Sequence, residues 1–365
     1  MKRAFWISIL LCLSACSTVQ AVPVSPTPEA PLLLPTPTTP PTAMPHQSTP
    51  VPIDIFAASR LLRRTVNLGN ALEAPHEGDW GVILQEGYFK TIAAAGFTAV
   101  RVPIDFADHA LPSGPFTIEP GFFDRIDWVV RNASANGLVA ILDMHNYQAM
   151  MDRPATEKVR FMALWKQIAE HYRDAPNDRV FFELLNEPNG ALDNSAWSAI
   201  AGETLAVVRQ SNPTRPVIIG PSSWNSFDQV QNLQLPPDPD IIVTFHYYLP
   251  FHFTHQGAEW VDGSNAWLGT LWTASPAELT AIDNDFGRVQ SWAKLNDRPV
   301  FLGEFGAYSK GDQASRVRWT AAVARAAEAH GFAWGYWEFC AGFGVYDPVA
   351  LQWRPDLLNA LIPNP

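Results

Sequence analysis

Eight short apolar runs recur between residues 53 and 365, and most neighbouring runs are separated by a stretch whose apolar residues repeat with helical spacing. Each run is continuously apolar, which indicates strands buried on both faces and therefore a parallel sheet. Eight strand–helix units predict an α/β fold, a (β/α)8 TIM barrel, in a single domain. The runs are 65–69, 97–103, 138–144, 180–186, 216–220, 240–246, 299–304 and 332–337.

The alternative is a doubly wound open sheet, which usually carries a glycine-rich phosphate loop after an early strand. Residues 67–70 (NLGN) do not have that pattern, and the sequence contains neither a GxGxxG nor a Walker motif. A length of 365 residues would also allow two ordinary domains. The regular alternation of strands and helices favours the barrel.

The first 15 residues have the pattern of a secretory signal. Lys2 and Arg3 precede the apolar stretch 4–13, which is too short to span a bilayer as a mature helix. Small residues directly before Cys16 resemble a bacterial lipobox, in which that cysteine becomes the lipidated first residue. We therefore expect an exported protein, anchored through Cys16 on the outer face of a bacterial membrane. An ordinary signal peptide that happens to contain a cysteine is the alternative.

Residues 16–52 are expected to tether that anchor to the barrel. Eleven of the residues between 17 and 52 are proline, and Glu29 is the only charged residue among them. Such a composition cannot bury a core and favours an extended, semi-rigid chain. The predicted organisation is a signal peptide over 1–15, a tether over 16–52 and the barrel over 53–365.

Cysteine usage and charge limit the chemistry further. Cys12 and Cys16 lie in the N-terminal segment, so Cys340 has no partner for an intramolecular disulfide or a cysteine-based metal site. The formal net charge of −11 becomes −13 when Lys2 and Arg3 leave with the signal. We therefore expect no nucleic-acid partner, and a monomer that acts on a neutral ligand.

Polar and aromatic side chains recur where the predicted strands end. Parallel strands bring their carboxyl ends to one face of a barrel, so these residues are expected to form one site. They are Asn70 and Glu73 near strand one, Arg101 in strand two, His145 and Asn146 near strand three, Asn186 and Glu187 near strand four, Trp224 after strand five, His246 and Tyr248 near strand six, Glu304 in strand seven, and Trp337 and Glu338 near strand eight.

The residue types in this set indicate the chemistry. No serine nucleophile elbow is visible, which disfavours acyl transfer. Two separate carboxylates, Glu187 and Glu304, are what cleavage of a glycosidic bond needs, one to protonate the leaving oxygen and one to attack or to activate water. Aromatic faces stack on sugar rings, and the aromatic segment 245–272 begins at the carboxyl end of strand six. Trp224, Trp260, Trp267 and Trp272 are candidate sugar platforms.

The sequence resembles glycoside hydrolase family 5 of clan A, a family of retaining (β/α)8 cellulases and mannanases. The resemblance covers essentially all of 53–365, and the stretches 67–81, 253–260 and 336–347 are similar to a branch of endoglucanases, some from heat-loving bacteria, that also cut mannan. The motifs that carry the family resemblance are Leu185-Asn186-Glu187-Pro188, Gly303-Glu304-Phe305-Gly306, Arg101, Asp143-Met144-His145, His246-Tyr247-Tyr248 and Trp337.

The resemblance implies a role for each matching residue. Glu187 would be the general acid/base and Glu304 the nucleophile, about 5–5.5 Å apart. Arg101 and Tyr248 would hold Glu304 ionised, and His246 would lie near Glu187. The sugar at the cleavage point would contact Asn186, His145 and Trp337.

Substrate preference is less firmly implied than catalysis. Many family members carry a second histidine where this chain has Asn146, which cannot be charged. Glucose and mannose differ at the 2-hydroxyl, which Asn186, Asn70 and Glu73 would read. The expected activity is endo-acting hydrolysis of β-1,4-glucans, with mannan or glucomannan as a further or main substrate. No cofactor is expected.

Metal binding, purely structural carboxylates and binding without cleavage are the alternatives to this chemistry. The spacing H-x5-H-x2-H of His246, His252 and His255 is not a recognised metal pattern, so no metal is predicted. Glu183 is interpreted as structural, and Asp143 as a residue that orients a neighbour. A lipoprotein that binds polysaccharide without cutting it would be expected to lack one of the two carboxylates, and both are present.

Overall fold

The computed structural model describes residues 52–363. The predicted signal peptide, the lipidation site Cys16 and nearly all of the predicted tether lie outside these residues. Within them, no helix is both long and apolar enough to cross a membrane.

Eight parallel strands close into a barrel, which confirms the predicted (β/α)8 fold. Each strand pairs with the next one in the chain, and β8 pairs with β1, where Thr65 lies opposite Gly335. The strands are β1 (Thr65–Asn67), β2 (Ala99–Ile104), β3 (Val139–Met144), β4 (Val180–Glu183), β5 (Val217–Ile219), β6 (Ile241–His246), β7 (Val300–Phe305) and β8 (Ala333–Tyr336), and a small hairpin, β9 (Tyr346–Asp347) and β10 (Gln352–Trp353), follows.

Helices surround the barrel on its outer face. They are α1 (Ile55–Leu61), α2 (Glu86–Ala94), α3 (Pro120–Ala135), α4 (Gln148–Asp152), α5 (Pro154–His171), α6 (Asn194–Arg209), the single turn α7 (Ser222–Asn225), α8 (Phe251–Thr254), α9 (Pro276–Asn296), α10 (Gln313–Ala329) and α11 (Pro355–Leu361), with 3-10 turns at Phe227–Asn232 and Ser264–Trp267. The longest helix, α9, begins with a capping box between Ser275 and Glu278, which satisfies backbone N–H groups that a helix start leaves free.

The core has two parts. The larger part lies between the barrel and the surrounding helices. The smaller part fills the amino-terminal end of the barrel, where Ile55, Ala58 and Leu62 of the α1 segment pack on Phe181 and Phe301 from the strands. Because α1 covers this end, the polar side chains at the strand ends can reach a cleft only at the opposite, carboxyl-terminal end.

Candidate active site

Arg101 is the centre of a buried charge network inside the barrel. Its Nε and Nη2 donate to the two oxygens of Glu183 at 2.7 and 2.9 Å, and its Nη1 donates to Oε1 of Glu304 at 2.7 Å. Nη2 also lies 3.0 Å from Oδ2 of Asp143. Burial alone would lower the pKa of Arg101, but Asp143, Glu183 and Glu304 raise it well above its ordinary value. The guanidinium therefore stays charged.

Two asparagines complete the shell around the guanidinium. Asn67, at the end of β1, accepts from Nη1 at 2.9 Å, and Asn186 accepts from Nη2 at 2.8 Å. Asn67 in turn donates to the backbone oxygens of Gly303 and Tyr336, so it joins β1 to β7 and β8. Asn67 was not among the site residues predicted from the sequence. The available signal was an amide side chain inside the first predicted strand, 65–69.

Glu304 lies in β7 and is almost fully buried. Beyond the bond from Arg101, its Oε2 accepts from the hydroxyl of Tyr248 at 2.8 Å. Both carboxylate oxygens therefore accept hydrogen bonds, one from a cation. These two donors hold the carboxylate in a fixed orientation, as a nucleophile requires.

Glu187 follows β4 and has a left-handed backbone conformation, with φ of 48°. Its Oε1 lies 2.7 Å from Nδ1 of His246. About a quarter of its side chain is open to the cleft, yet the surrounding protein still desolvates the carboxyl. Burial is the main cause that raises the pKa of Glu187 to about 7; Glu183 raises it further, while His145 and Arg101 oppose the shift. A carboxyl group with this pKa can carry a proton near neutral pH and then release it.

The two carboxyl groups face each other closely. Each of Glu187, His246 and Glu304 offers a ligand-forming atom, and these atoms all lie within 4.8 Å of one another. Retaining glycosidases hold their carboxyl groups about 5–5.5 Å apart, whereas inverting ones leave about 6.5–9.5 Å for a water molecule. The spacing of Glu187 and Glu304 fits attack by Glu304 itself. Glu187, His246 and Glu304 are also the three described residues that could together hold a cation.

Asp143, His145 and Asn186 form a second chain of hydrogen bonds. Nδ1 of His145 lies 2.5 Å from Oδ2 of Asp143, and Nε2 of His145 lies 3.2 Å from Nδ2 of Asn186. Because Oδ1 of Asn186 already accepts from Arg101, the orientation of this amide is fixed from both sides. Burial is the main cause that lowers the pKa of His145 to about 4, so its ring is neutral and can accept from the amide.

An open cleft of about 1090 Å³ lies over these groups. Trp337 forms part of its floor and stacks on His145, with ring centroids 5.7 Å apart. Trp224 and Trp260 stand in the cleft walls, each 60% exposed. Asn70, Glu73 and Asn146 also line the cleft, as does His255. Trp80 and Phe343 line it too, and neither was predicted from the sequence.

Glu73 lines the cleft but has a structural task as well. Its carboxyl accepts from the backbone N–H groups of Asn70 and Ala71, which holds Asn70 in a left-handed conformation with φ of 65°. Asn146 donates to the backbone oxygen of Glu73 at 2.8 Å. Burial raises the pKa of Glu73 to about 8. Its carboxyl group is therefore protonated at neutral pH.

Three predicted residues lie elsewhere. The prediction that Glu338 binds substrate is wrong, because its side chain is fully buried and accepts from the backbone N–H groups of Cys340, Ala341 and Phe343. Trp272 is not a platform either, since it is 1% exposed. Trp267 stacks on His252 at 4.2 Å and lies beside the cleft instead of in its wall. A sequence pattern places a residue on a loop but does not give the direction of its side chain.

Comparison with known proteins gives a consistent match. The family profile described as "Cellulase (glycosyl hydrolase family 5)" matches residues 67–342. Endoglucanase H of Acetivibrio thermocellus is 35% identical over 330 residues, which is 89% of this chain and 35% of that protein. Endoglucanase 3 of Fibrobacter succinogenes is 24% identical, over 80% of this chain and 51% of that protein. The chain thus spans between a third and about half of the length of these relatives.

Solved structures match over their full length. The endoglucanase Cel5A of Thermotoga maritima is 45% identical and has a TM-score of 0.83, over 85% of this chain and 100% of that chain. It has been solved in complex with cellobiose and with mannotriose. A hyperthermophilic endo-β-1,4-glucanase in complex with substrate is 42% identical, with a TM-score of 0.83, over 85% of this chain and 99% of that one.

Proposed function

The chain belongs to glycosyl hydrolase family 5, and on that premise we propose that it is a retaining, endo-acting β-1,4-glucanase. The observation that carries the proposal is the opposed pair of carboxyl groups, Glu187 and Glu304, whose facing atoms lie within 4.8 Å in an open cleft. Their surroundings differ: Arg101 and Tyr248 donate hydrogen bonds to Glu304, whereas burial raises the pKa of Glu187 to about 7 and lets it carry a proton near neutral pH.

The first half-reaction uses this difference. Glu304 attacks the anomeric carbon and forms a bond to it, while the bond from that carbon to the glycosidic oxygen breaks. Glu187 gives its proton to the departing oxygen, and the free end of the polymer leaves. Glu304 loses its charge when it forms the neutral ester, and the negative charge is left on the deprotonated Glu187. The Arg101 guanidinium keeps its contacts with Glu183 and Asp143.

The second half-reaction reverses these roles. Glu187, now ionised, takes a proton from a water molecule, and the oxygen of that water displaces Glu304 from the anomeric carbon. Two displacements on one carbon return the β configuration. The amide of Asn186, held by Arg101 and His145, is placed to bond the sugar beside the cleaved linkage, where such contacts strengthen in the transition state.

The cleft supports a β-linked polysaccharide as substrate. Trp224, Trp260 and Trp337 line it and offer aromatic surfaces to sugar rings. The endoglucanase names of the relatives favour glucan as the main substrate. Mannan or glucomannan is a second candidate, because the Cel5A structure with mannotriose shows that a 45% identical protein accommodates mannose units.

Glutamine variants test the mechanism. Reducing ends released from carboxymethylcellulose, mixed-linkage β-glucan, glucomannan and galactomannan would be measured for the parent protein and for Glu187→Gln and Glu304→Gln. The matched control is Glu203→Gln, which removes a surface carboxylate of α6 paired with Lys158. We expect activity in the parent and the control, none in Glu304→Gln, and a β-anomer as the first product by NMR.

The opposite results would reject the proposal. An active Glu304→Gln variant would show that Glu304 is not the nucleophile. An α-anomer as first product would show inversion. Binding of polymer by the parent without release of ends would favour a binding protein instead.

We also propose that Cys16 is lipidated and holds the enzyme on the outer face of a bacterial membrane. The lipobox-like residues before Cys16 and the proline-rich segment after it support this proposal. Cells that express the full chain would be labelled with a fatty-acid analogue and fractionated. Label in the parent, and loss of both label and membrane association in Cys16→Ala, is the expected result; equal fractionation of the two would reject it.

A further inference from the structure

His246 lies between the two catalytic carboxyl groups and a buried amide. Its Nδ1 is 2.7 Å from Oε1 of Glu187 and 3.6 Å from Oε2 of Glu304. Its Nε2 is 3.4 Å from Nδ2 of the side-chain amide of Asn225. A neutral imidazole carries its proton on only one of the two nitrogens. The position of that proton decides whether Glu187 faces a hydrogen-bond donor or an acceptor.

Asn225 is fully buried beneath the cleft. It ends the turn Ser223–Trp224–Asn225, in which all three residues have left-handed backbone angles between 52° and 61°. Gly220 leaves room for its amide, because a side chain at that position would overlap Oδ1 and Cγ of Asn225. The turn therefore places one exposed residue, Trp224, in the cleft wall and the next residue behind His246.

Two oxygen atoms behind the ring have no hydrogen-bond partner among residues 52–363. They are Oδ1 of Asn225 and Oγ1 of Thr244, both buried. Thr244 lies close to the same ring, since a β-carbon on Gly303 would be 2.6 Å from Oγ1 of Thr244 and 3.1 Å from Nε2 of His246. A half-turn of the Asn225 amide exchanges its nitrogen and oxygen, which are assigned from hydrogen bonds. That rotation gives Oδ1 a donor if Nε2 of His246 carries the proton.

Burial favours a neutral ring at His246. Burial is the main cause that lowers the pKa of His246 to about 4, and the cation Arg101 acts in the same direction. The carboxylates of Glu304 and Glu183 act in the opposite direction. The titratable and charged groups around Glu187 are His246, Glu304, Tyr248, His145, Arg101, Glu183 and Asp143.

We propose that Asn225 is a positioning residue for the general acid: its amide oxygen accepts from Nε2–H of His246 and so leaves Nδ1 as an acceptor facing Glu187. This inference rests on the proposed function. Nδ1 then accepts a hydrogen bond from the protonated Glu187 carboxyl and cannot donate one to its carboxylate. The protonated state required at the start of the reaction is favoured, and after proton release Glu187 is a stronger base toward water.

The alternative proton position has the opposite effect. With the proton on Nδ1, His246 would donate to the Glu187 carboxylate and stabilise its ionised form, so that less of Glu187 would carry the proton needed at the start of the reaction. Nε2 would then face the oxygen of Asn225 without a hydrogen between them, or would require the amide orientation that leaves Oδ1 unpaired. The buried amide thus selects one tautomer of the ring, and the ring favours one protonation state of the acid.

The first test observes the tautomer directly. The parent protein would be labelled with 15N-histidine, and the His246 signals identified by their loss in His246→Gln. At neutral pH we expect the proton on Nε2 and a bare Nδ1. A proton on Nδ1, or on both nitrogens, overturns the proposal. This outcome does not depend on turnover, so it is distinguishable from a failure of the proposed function, which the release of sugar ends tests.

The second test uses the pH dependence of kcat/KM. Asn225→Leu keeps the approximate volume of the side chain and removes the acceptor. We expect its alkaline limb to move down by about one pH unit, which is about a tenfold loss at pH 8 and little loss at pH 5. The loss should be much smaller for a dinitrophenyl β-cellobioside, whose leaving group needs no proton, than for cellotetraose.

Thr244→Val distinguishes the two candidate acceptors. If Asn225 is the acceptor, this variant keeps the alkaline limb of the parent. A shift in Thr244→Val without one in Asn225→Leu would assign the role to Thr244 and overturn the proposal. An equal loss for both substrates in Asn225→Leu would indicate a general structural defect instead of a defect in proton donation, and would also count against it.

Discussion

The guanidinium of Arg101 contacts three carboxylates inside the barrel, and we therefore expect Arg101 to tolerate substitution less than any other residue of the site. It bonds Glu183 through two nitrogens and Glu304 through a third, and it lies 3.0 Å from Asp143. A lysine has the same charge, but its single ammonium cannot reproduce a planar fork that reaches several oxygens at once. The charge alone is therefore not sufficient at this position.

Arg101→Lys is expected to lower both stability and activity. The loss of unfolding free energy should approach the roughly 3–5 kcal/mol seen when one partner of a buried ion pair is removed. The value of kcat/KM should also fall, because a lysine cannot hold the Glu304 carboxylate in place as the guanidinium does. Urea unfolding and initial rates on polymer measure these effects. Arg125→Lys, in a partly exposed pair with Glu77, is the control and should change little; an equal loss there would contradict the special role of Arg101.

Asp105 offers a prediction about stability and pH. It is almost fully buried, and burial raises the pKa of its carboxyl to about 7. Because the folded state holds this proton more tightly than the unfolded chain, its contribution to stability is present below about pH 4 and is lost as the pH rises toward 7. Asp105→Asn cannot titrate and keeps an oxygen to accept from the N–H of Asp108.

The variant should therefore gain stability relative to the parent as the pH rises, by roughly 1–3 kcal/mol between pH 4 and pH 8. Melting temperatures of both proteins across this range measure the difference. Asp108→Asn replaces an exposed neighbour and should show no such trend. A difference between Asp105→Asn and the parent that does not vary with pH would contradict the prediction.

At the scale of elements, the turn Ser223–Trp224–Asn225 combines strain with function. A left-handed conformation costs about 1–2 kcal/mol for a residue with a side chain, and three such residues follow one another. Trp224 is 60% exposed, so it gains little from packing in return. The backbone of this turn is strained, and the rest of the fold stabilises it in a conformation that places the Trp224 ring in the cleft wall.

Trp224→Gly should separate the two effects. Glycine adopts a positive φ freely, so stability should rise by about 1 kcal/mol. Loss of the aromatic face should raise KM for polymer about tenfold, on the scale of 1–2 kcal/mol for a stacking contact. Trp224→Ala is the matched control, since it removes the ring and keeps the strain; it should match Gly in KM but not in melting temperature. Equal melting temperatures for Gly and Ala would contradict the argument.

The scale of elements is also where the sequence predicts best. Eight apolar runs were sufficient to predict eight strands and their parallel order, because strands buried on both faces have few other arrangements. The boundaries were less accurate: the run 180–186 yields a strand that ends at Glu183, after which the chain turns so that Glu187 faces the cleft. The apolar pattern of the sequence shows which residues are buried. It does not show where the last hydrogen bond between neighbouring strands forms.

Individual site residues were most predictable within a strand. Arg101 and Glu304 lie within strands, whereas Glu187 follows β4 and still reaches the cleft. Glu338 lies beyond the end of β8, where the backbone turns its carboxyl away from the cleft onto three N–H groups. Trp272 and Trp267 are in a loop whose own packing decides their direction. These outcomes depend on tertiary contacts that no local pattern contains.

At the scale of the whole molecule, charge should affect the choice of polymer. The formal net charge is −11, and Glu304 lines the cleft. An anionic polymer such as carboxymethylcellulose is therefore repelled at low ionic strength, whereas a neutral β-glucan is not. Raising the salt concentration from 10 to 200 mM should increase kcat/KM for carboxymethylcellulose several-fold and leave that for mixed-linkage glucan unchanged. The same response for both polymers would show that net charge has no influence.

The position of α1 has a geometric consequence for how the enzyme can be presented to a solid material. The chain enters the described fold at α1, which covers the amino-terminal end of the barrel, and the cleft opens at the other end. Any attachment made ahead of Ile55, whether to a bead, a scaffold or a fused partner, is therefore at the amino-terminal end of the barrel, opposite the cleft. Coupling through this end should leave the mouth of the barrel pointing outward, so that long insoluble fibres can reach it without passing the support.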